Sequence, residues 1–352
     1  MTAHESYEVT VVGGGPAGLT AALYTTRLGH DTAMINRGGG RAAMMKDTHN
    51  VIGITEDVSG MEFLGTAVDQ VQNYGADYYR DFVESAERLE DGRFLLEAGD
   101  VTVETEAVVL ATGFSDKRPD PPLPRTGAGL HYCLHCDAYM FVDQPVYVMG
   151  HSDSTAHVAM IMLNFTPDVD ILLRGDEPTW SAETQAMVEA HPIDVIDTEI
   201  AGIENGDDGW LEAIEFEDSV ELRSTSGRTT SGDETRREYR GGFAMYGSEY
   251  NTDLAEQLGC ELTDGGEIEV DDHGETSVDG VWAVGDVVPG HNQIPVAMGE
   301  GAKAGIAIHM ELREYPKSIE ELEAEGEVDP EQVPAISATL RERKRARTGA
   351  GD

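Results

Sequence analysis

Cysteine is nearly absent from this chain: only Cys133, Cys136 and Cys260 occur among 352 residues. So few thiols exclude a secreted fold stapled by several disulfides. A closely spaced pair is then expected to be redox-active. Lysine is also scarce, with Lys46, Lys117, Lys303, Lys317 and Lys344 the full set. Against 24 Lys and Arg stand 67 Asp and Glu, a formal charge of -43. That charge excludes nucleic acid as the main partner. It also repels itself at ordinary salt, a cost removed when salt near 1 M cuts the Debye length to roughly 3 Å. A halophilic, high-salt cytoplasm is the expected setting. No apolar run is long enough to span a bilayer, and Met1-Thr2-Ala3-His4-Glu5 lacks the basic and apolar regions of a signal peptide. The expectation is a soluble cytoplasmic protein with no membrane partner, long enough for two α/β domains.

Two short motifs carry the chemistry. The first is Cys133-Leu134-His135-Cys136-Asp137, a CxxC followed at once by a carboxylate. Two such thiols can cycle between dithiol and disulfide, and the carboxylate can handle the accompanying proton. No second CxxC or CxxH accompanies it, so no metal site is expected. The second motif follows the apolar strand Glu8-Val9-Thr10-Val11-Val12. There Gly13, Gly15 and Gly18 fill GxGxxG, with Pro16 and Ala17 inside the turn and an apolar helix expected from Leu19 to about Leu28. The first glycine makes the turn, the second admits a pyrophosphate to the backbone, and the third lets helix and strand pack. Asn36, at the end of the second strand, can hydrogen-bond a ribose. A flavin beside the thiol pair would complete a two-electron relay.

Two further segments make the likeness specific. Val108 to Leu110 leads into Ala111-Thr112-Gly113, and far downstream Gly280 to Val284 ends in Gly285-Asp286. With CxxC-D between them, the chain resembles the low-molecular-weight thioredoxin reductase family over about residues 6–315. The resemblance implies two Rossmann-like, three-layer α/β dinucleotide-binding domains, the second inserted into the first. The FAD domain is expected over 1–117 and 245–316, the NAD(P)H-like domain with the CxxC over 118–244, and an acidic-then-basic tail over 317–352. Asp286 is expected at the FAD ribityl chain. Gln293 and Ile294, opening a helix, are expected near the flavin ring, where a helix N-terminus stabilises negative charge. Asn50 is a further candidate FAD contact, and a homodimer is implied.

The resemblance also assigns roles to the thiols. Cys136 would face the flavin, Cys133 would attack a partner disulfide, and Asp137 would protonate the departing thiolate. His135 stands between the cysteines and is read as a partly exposed side chain, with a thiol-activating cation as the sharper reading.

The second nucleotide motif is degraded. Gly150 holds a turn, but Ser152 occupies the second-glycine position, with Thr155 in the packing role. Of the basic cluster expected for a 2′-phosphate only Arg174 remains, followed by Gly175-Asp176-Glu177. NADPH, NADH and no nicotinamide all stay open. The leading expectation is a flavin-dependent reductase of thioredoxin or a similar protein. The alternatives are a ferredoxin-dependent reductase, a dithiol oxidase using oxygen, and a redox sensor without turnover. Five basic residues within 341–347 are read as a frayed or self-pairing helix, or as an arm for an acidic partner such as ferredoxin.

Overall fold

The computed structural model describes residues 3–120, 124–220 and 234–349. The elements are β1 (Ala3–Val12), α1 (Pro16–Leu28), β2 (Thr32–Ile35), α2 (Gly60–Tyr74), β3 (Asp77–Tyr79), β4 (Val83–Arg88), β5 (Phe94–Ala98), β6 (Val101–Leu110) and β7 (Phe114–Asp116). There follow β8 (Leu130–His131), α3 (Leu134–Asp137), β9 (Val146–Met149), α4 (Asp153–Met162), β10 (Val169–Leu172), α5 (Ala182–Ala190), β11 (Ile193–Ile196), β12 (Ile200–Asn205), β13 (Leu211–Val220), β14 (Glu234–Glu238) and β15 (Gly241–Ala244). The last are β16 (Ser248–Tyr250), α6 (Asp253–Leu258), β17 (Val281–Ala283), α7 (Ile294–Leu312), α8 (Ile319–Glu325) and α9 (Ala338–Gly349). The described residues fall into two compact units. One holds those up to Ser115 and those from Tyr250 onward; the other runs from Asp116 to Glu249.

The first unit is built on a sheet ordered β3-β2-β1-β6-β5-β4, with β17 also pairing β6. β1, β2, β3, β6 and β17 run parallel, and β5 is antiparallel to β4 and β6. Val9, Val11 and Val12, like Val108, Val109 and Leu110, are buried. That near-continuous apolar run is what a parallel strand covered on both faces requires. Small residues set α7 against α1. A Cβ at Gly301 would collide with the Ala17 carbonyl, and one at Gly305 would lie 2.7 Å from Tyr24 Cβ. The close approach holds α7 against the helix that follows the glycine turn.

The second unit has a parallel five-stranded sheet, β11-β10-β9-β15-β8, and an antiparallel sheet, β12-β13-β14. The expected α/β class with two Rossmann-like parallel sheets, the second unit interrupting the first, is the architecture observed. A buried charge cluster lies inside the second unit. Arg237 pairs with Asp170 at 2.6 Å and approaches Asp194 at 3.8 Å. The Tyr239 hydroxyl donates to Asp170 at 2.6 Å.

The basic tail segment is α9, and it folds back on the first unit. Ser337 N–H donates to the Gly29 carbonyl at 2.9 Å, and Arg343 donates to the Gln72 carbonyl at 2.6 Å. Those carbonyls close α1 and α2, where a cation opposes the negative end of the helix dipole. Among the described residues no helix is long and apolar enough to cross a membrane.

Candidate active site

The glycine turn lies between β1 and α1. Gly13 has φ of 109°, and a Cβ there would strike the Ala111 carbonyl. A Cβ at Gly18 would strike the Gly13 carbonyl, so the third glycine serves close packing. Gly15 differs from both. Its backbone is extended at φ -77° and ψ 178°, open to any residue, and a Cβ there would meet nothing within 4 Å. Nothing among the described residues demands glycine at this position. A phosphate group brought to the N-terminus of α1 would demand it. Pro16 stands in the first turn of α1, where its missing N–H costs no hydrogen bond, and Ala17 is buried.

Other expected residues of the first unit gather at the ends of its parallel strands. Thr112 donates to the Asn251 carbonyl at 2.7 Å, and the Asn251 amide returns bonds to the carbonyls of Thr112 at 2.9 Å and Gly113 at 3.1 Å. Gly285 has φ of 78°, and its N–H is held by Glu300 at 2.8 Å. Burial pushes the Glu300 carboxyl up. Asp286 lies 3.5 Å from Arg41, whose guanidinium stacks over Phe114 at 4.5 Å. Asn50 donates to Gln293 at 2.7 Å, joining a loop far upstream to the residue that precedes Ile294 and α7. Asn36 donates to the Tyr78 hydroxyl at 3.0 Å, so its amide nitrogen is already engaged within the protein. Asn251, Glu300 and Arg41 were not singled out from sequence.

In the second unit Cys133 and Cys136 form a disulfide, with Cα atoms 5.3 Å apart. Cys133 precedes the single turn α3, and the N–H groups of Cys136 and Asp137 donate to its carbonyl at 3.3 and 3.2 Å. That tight turn is what two intervening residues must adopt to bring two thiols within bonding reach. Asp137 does not stand alone: its Oδ2 lies 2.7 Å from Nδ1 of the buried His131. His135 is exposed. Cys260 is buried, and burial pushes its thiol up, which suits an inert side chain.

The degraded nucleotide motif lies between β9 and α4. Gly150 has φ of 138°, where a Cβ would come within 2.6 Å of Thr155 Oγ1. Ser152 precedes α4, its hydroxyl 2.8 Å from that of Ser154. Thr155 is buried and accepts the Ser152 N–H at 3.3 Å. Arg174 has a positive φ of 57° and turns inward. It donates to the Asp120 carbonyl at 2.8 Å and pairs with Glu199 at 3.4 Å.

Comparison with known proteins places these features in a wider group. The sequence pattern of the pyridine nucleotide-disulphide oxidoreductases matches residues 7–301. The chain is 30% identical over 326 residues to the thioredoxin reductase of Peptoclostridium litorale, covering 91% of this chain and 99% of that one. It is 28% identical over 336 residues to the thioredoxin reductase of Bacillus subtilis (strain 168), covering 92% and 100%. Among solved structures, thioredoxin reductase from Streptococcus pyogenes MGAS5005 superimposes with a TM-score of 0.77 at 28% identity, covering 88% of this chain and 99% of that chain.

Proposed function

Because the chain belongs to the pyridine nucleotide-disulphide oxidoreductase family, we propose that it is an FAD-dependent disulfide reductase of thioredoxin reductase type. The observation that carries this reading is the disulfide between Cys133 and Cys136 with a carboxylate one residue on. The glycine turn fits FAD, since Gly15 leaves open space at the N-terminus of α1 while Gly13 and Gly18 are demanded by the protein itself. Gly13, Gly15, Pro16, Ala17 and Gly18 cradle the pyrophosphate. Asn36, Ala111, Thr112, Gly113, Gly285 and Asp286 hold the rest of the dinucleotide, and Asn50, Gln293 and Ile294 border its ring. Bound FAD supplies a two-electron carrier between a nicotinamide and the disulfide.

The protein's own groups perform the exchange. Cys133, as thiolate, attacks a disulfide of a thioredoxin-like protein, Cys136 resolves the mixed disulfide, and Asp137 supplies the proton to the leaving sulfur. The relatives named above are thioredoxin reductases, which does not favour the ferredoxin-dependent, oxygen-using or sensor readings. The donor is a nicotinamide held at Gly150, Ser152 and Thr155. The inward Arg174 and the following Asp176 and Glu177 favour NADH over NADPH. The charge of -43 fits a cytoplasm rich in salt, and the protein works there as a homodimer.

Trapping tests the assignment. Cys136→Ser should accumulate a mixed disulfide with a thioredoxin through Cys133, and Cys133→Ser should form none. A mixed disulfide in the Cys133→Ser protein would refute the roles.

A further inference from the structure

His131 ends β8, two residues before Cys133. The residue is 6% exposed and its ring sits in an aromatic box. It stacks on Trp210 with centroids 5.8 Å apart and planes 25° apart. Phe141 meets it edge-on at 5.3 Å, and Phe243 lies at 6.1 Å. Arg240 lies over the same indole at 4.6 Å and pairs with Asp208. Nε2 of His131 is buried with no hydrogen-bond partner among the described residues. A buried polar atom left unpaired is destabilising. A phenyl ring would fill this box without that cost. The one thing the imidazole does that a phenyl cannot is bond Asp137 Oδ2, at 2.7 Å.

We infer that His131 is a positioning residue for thiol–disulfide exchange, holding Asp137 by one carboxyl oxygen so that the other serves the sulfur leaving the partner protein. The inference rests on the reductase reading above. In the first step the Cys133 thiolate attacks a sulfur of the partner disulfide. The Cys133–partner bond forms, the partner's S–S bond breaks, and the departing thiolate takes the Asp137 proton. The resulting carboxylate accepts from His131 Nδ1–H. In the second step Cys136 gives its proton to Asp137 and attacks Cys133 Sγ. The Cys133–Cys136 bond forms, the mixed disulfide breaks, and the second partner thiolate takes that proton. The dithiol loses two electrons and the partner disulfide gains them.

The leaving group provides the test. An aromatic thiolate of low pKa departs unaided, whereas an alkyl thiolate needs a proton. The FAD-loaded full chain is reduced with dithiothreitol, desalted without oxygen, and mixed with 5,5′-dithiobis(2-nitrobenzoate) or with hydroxyethyl disulfide. Surviving protein thiols are alkylated and counted by mass. His131→Phe should slow the alkyl disulfide about tenfold or more relative to the aromatic one. His131→Asn, which restores an N–H near the place of Nδ1, should recover most of that ratio. Equal slowing of both disulfides by His131→Phe, no slowing of either, or an Asn variant no better than Phe would overturn the inference while leaving the reductase reading intact. Wild-type dithiol inert to both disulfides would remove the reductase reading, and this inference with it.

Discussion

Arg174 faces Glu199 at 3.4 Å while its guanidinium also donates to the Asp120 carbonyl at 2.8 Å. The sole basic residue in the segment where a 2′-phosphate would be read is thus spent inside the second unit. Asp176 and Glu177 follow it and would repel a phosphate. NADH should therefore reduce the flavin at least as efficiently as NADPH, judged by kcat/KM in steady-state assays. A preference for NADPH of tenfold or more, about 1.4 kcal/mol, would contradict this reading of Arg174.

Gly15 and Gly18 should separate binding from folding. A Cβ at position 15 meets no atom of the described residues within 4 Å and needs no unusual backbone. Gly15→Val should unfold at nearly the wild-type denaturant midpoint once both are stripped of flavin, yet fail to retain FAD. Gly18→Val drives its side chain into the Gly13 carbonyl, and overpacking of this kind costs about 1–3 kcal/mol. It should lose stability and flavin together.

The buried Arg237 cluster should govern stability with little sensitivity to salt. Removing the cation by Arg237→Met leaves Asp170 and Asp194 without it and should cost about 3–5 kcal/mol. Burial pushes the Asp170 carboxyl up to about 7, although Arg237 and Tyr239 oppose the shift. A folded-state value above the unfolded one means that the native state binds more protons between them. The Asp170 contribution is therefore fully present below about pH 4, near the ordinary carboxylate value, and is lost as pH rises to about 7. Urea melts should show wild-type stability declining relative to Asp170→Asn across that window. Parallel pH curves for the two proteins would count against it.

The acidic surface gives a prediction of opposite salt sensitivity. With a charge of -43, stability should rise as KCl is raised from about 0.1 to 1 M, because self-repulsion is screened. Arg343, donating to the Gln72 carbonyl at 2.6 Å, holds α9 at the end of α2. Arg343→Met should lower stability by about 0.3–1 kcal/mol. Thermal unfolding of both proteins across the salt series checks the two effects together.

Much of the account was legible in local sequence. The glycine turn is legible because its three requirements fall within Gly13 to Gly18 and follow an apolar strand. The thiol pair is legible because CxxC and Asp137 are contiguous. His131 was not, since its meaning depends on Trp210 and Phe243, which are brought to it only by folding. Asn251 escaped for the same reason: it secures Thr112 and Gly113 from 139 and 138 residues away. The inward turn of Arg174 depends on Glu199, 25 residues on, and no short-range pattern announces it. The basic run in the tail was visible as charge, but its seat on the last carbonyls of α2 required the tertiary fold.

The central claim is that electrons pass from a nicotinamide through FAD to Cys133 and Cys136 and on to a protein disulfide. Anaerobic stopped-flow absorbance of the FAD-loaded protein in high salt, mixed separately with NADH and NADPH, tests it most directly. The expected result is fast bleaching of the flavin, then reoxidation by disulfide-form thioredoxin that Cys133→Ser abolishes. Failure of both nucleotides to bleach the flavin, or reoxidation by thioredoxin that survives Cys133→Ser, would contradict it.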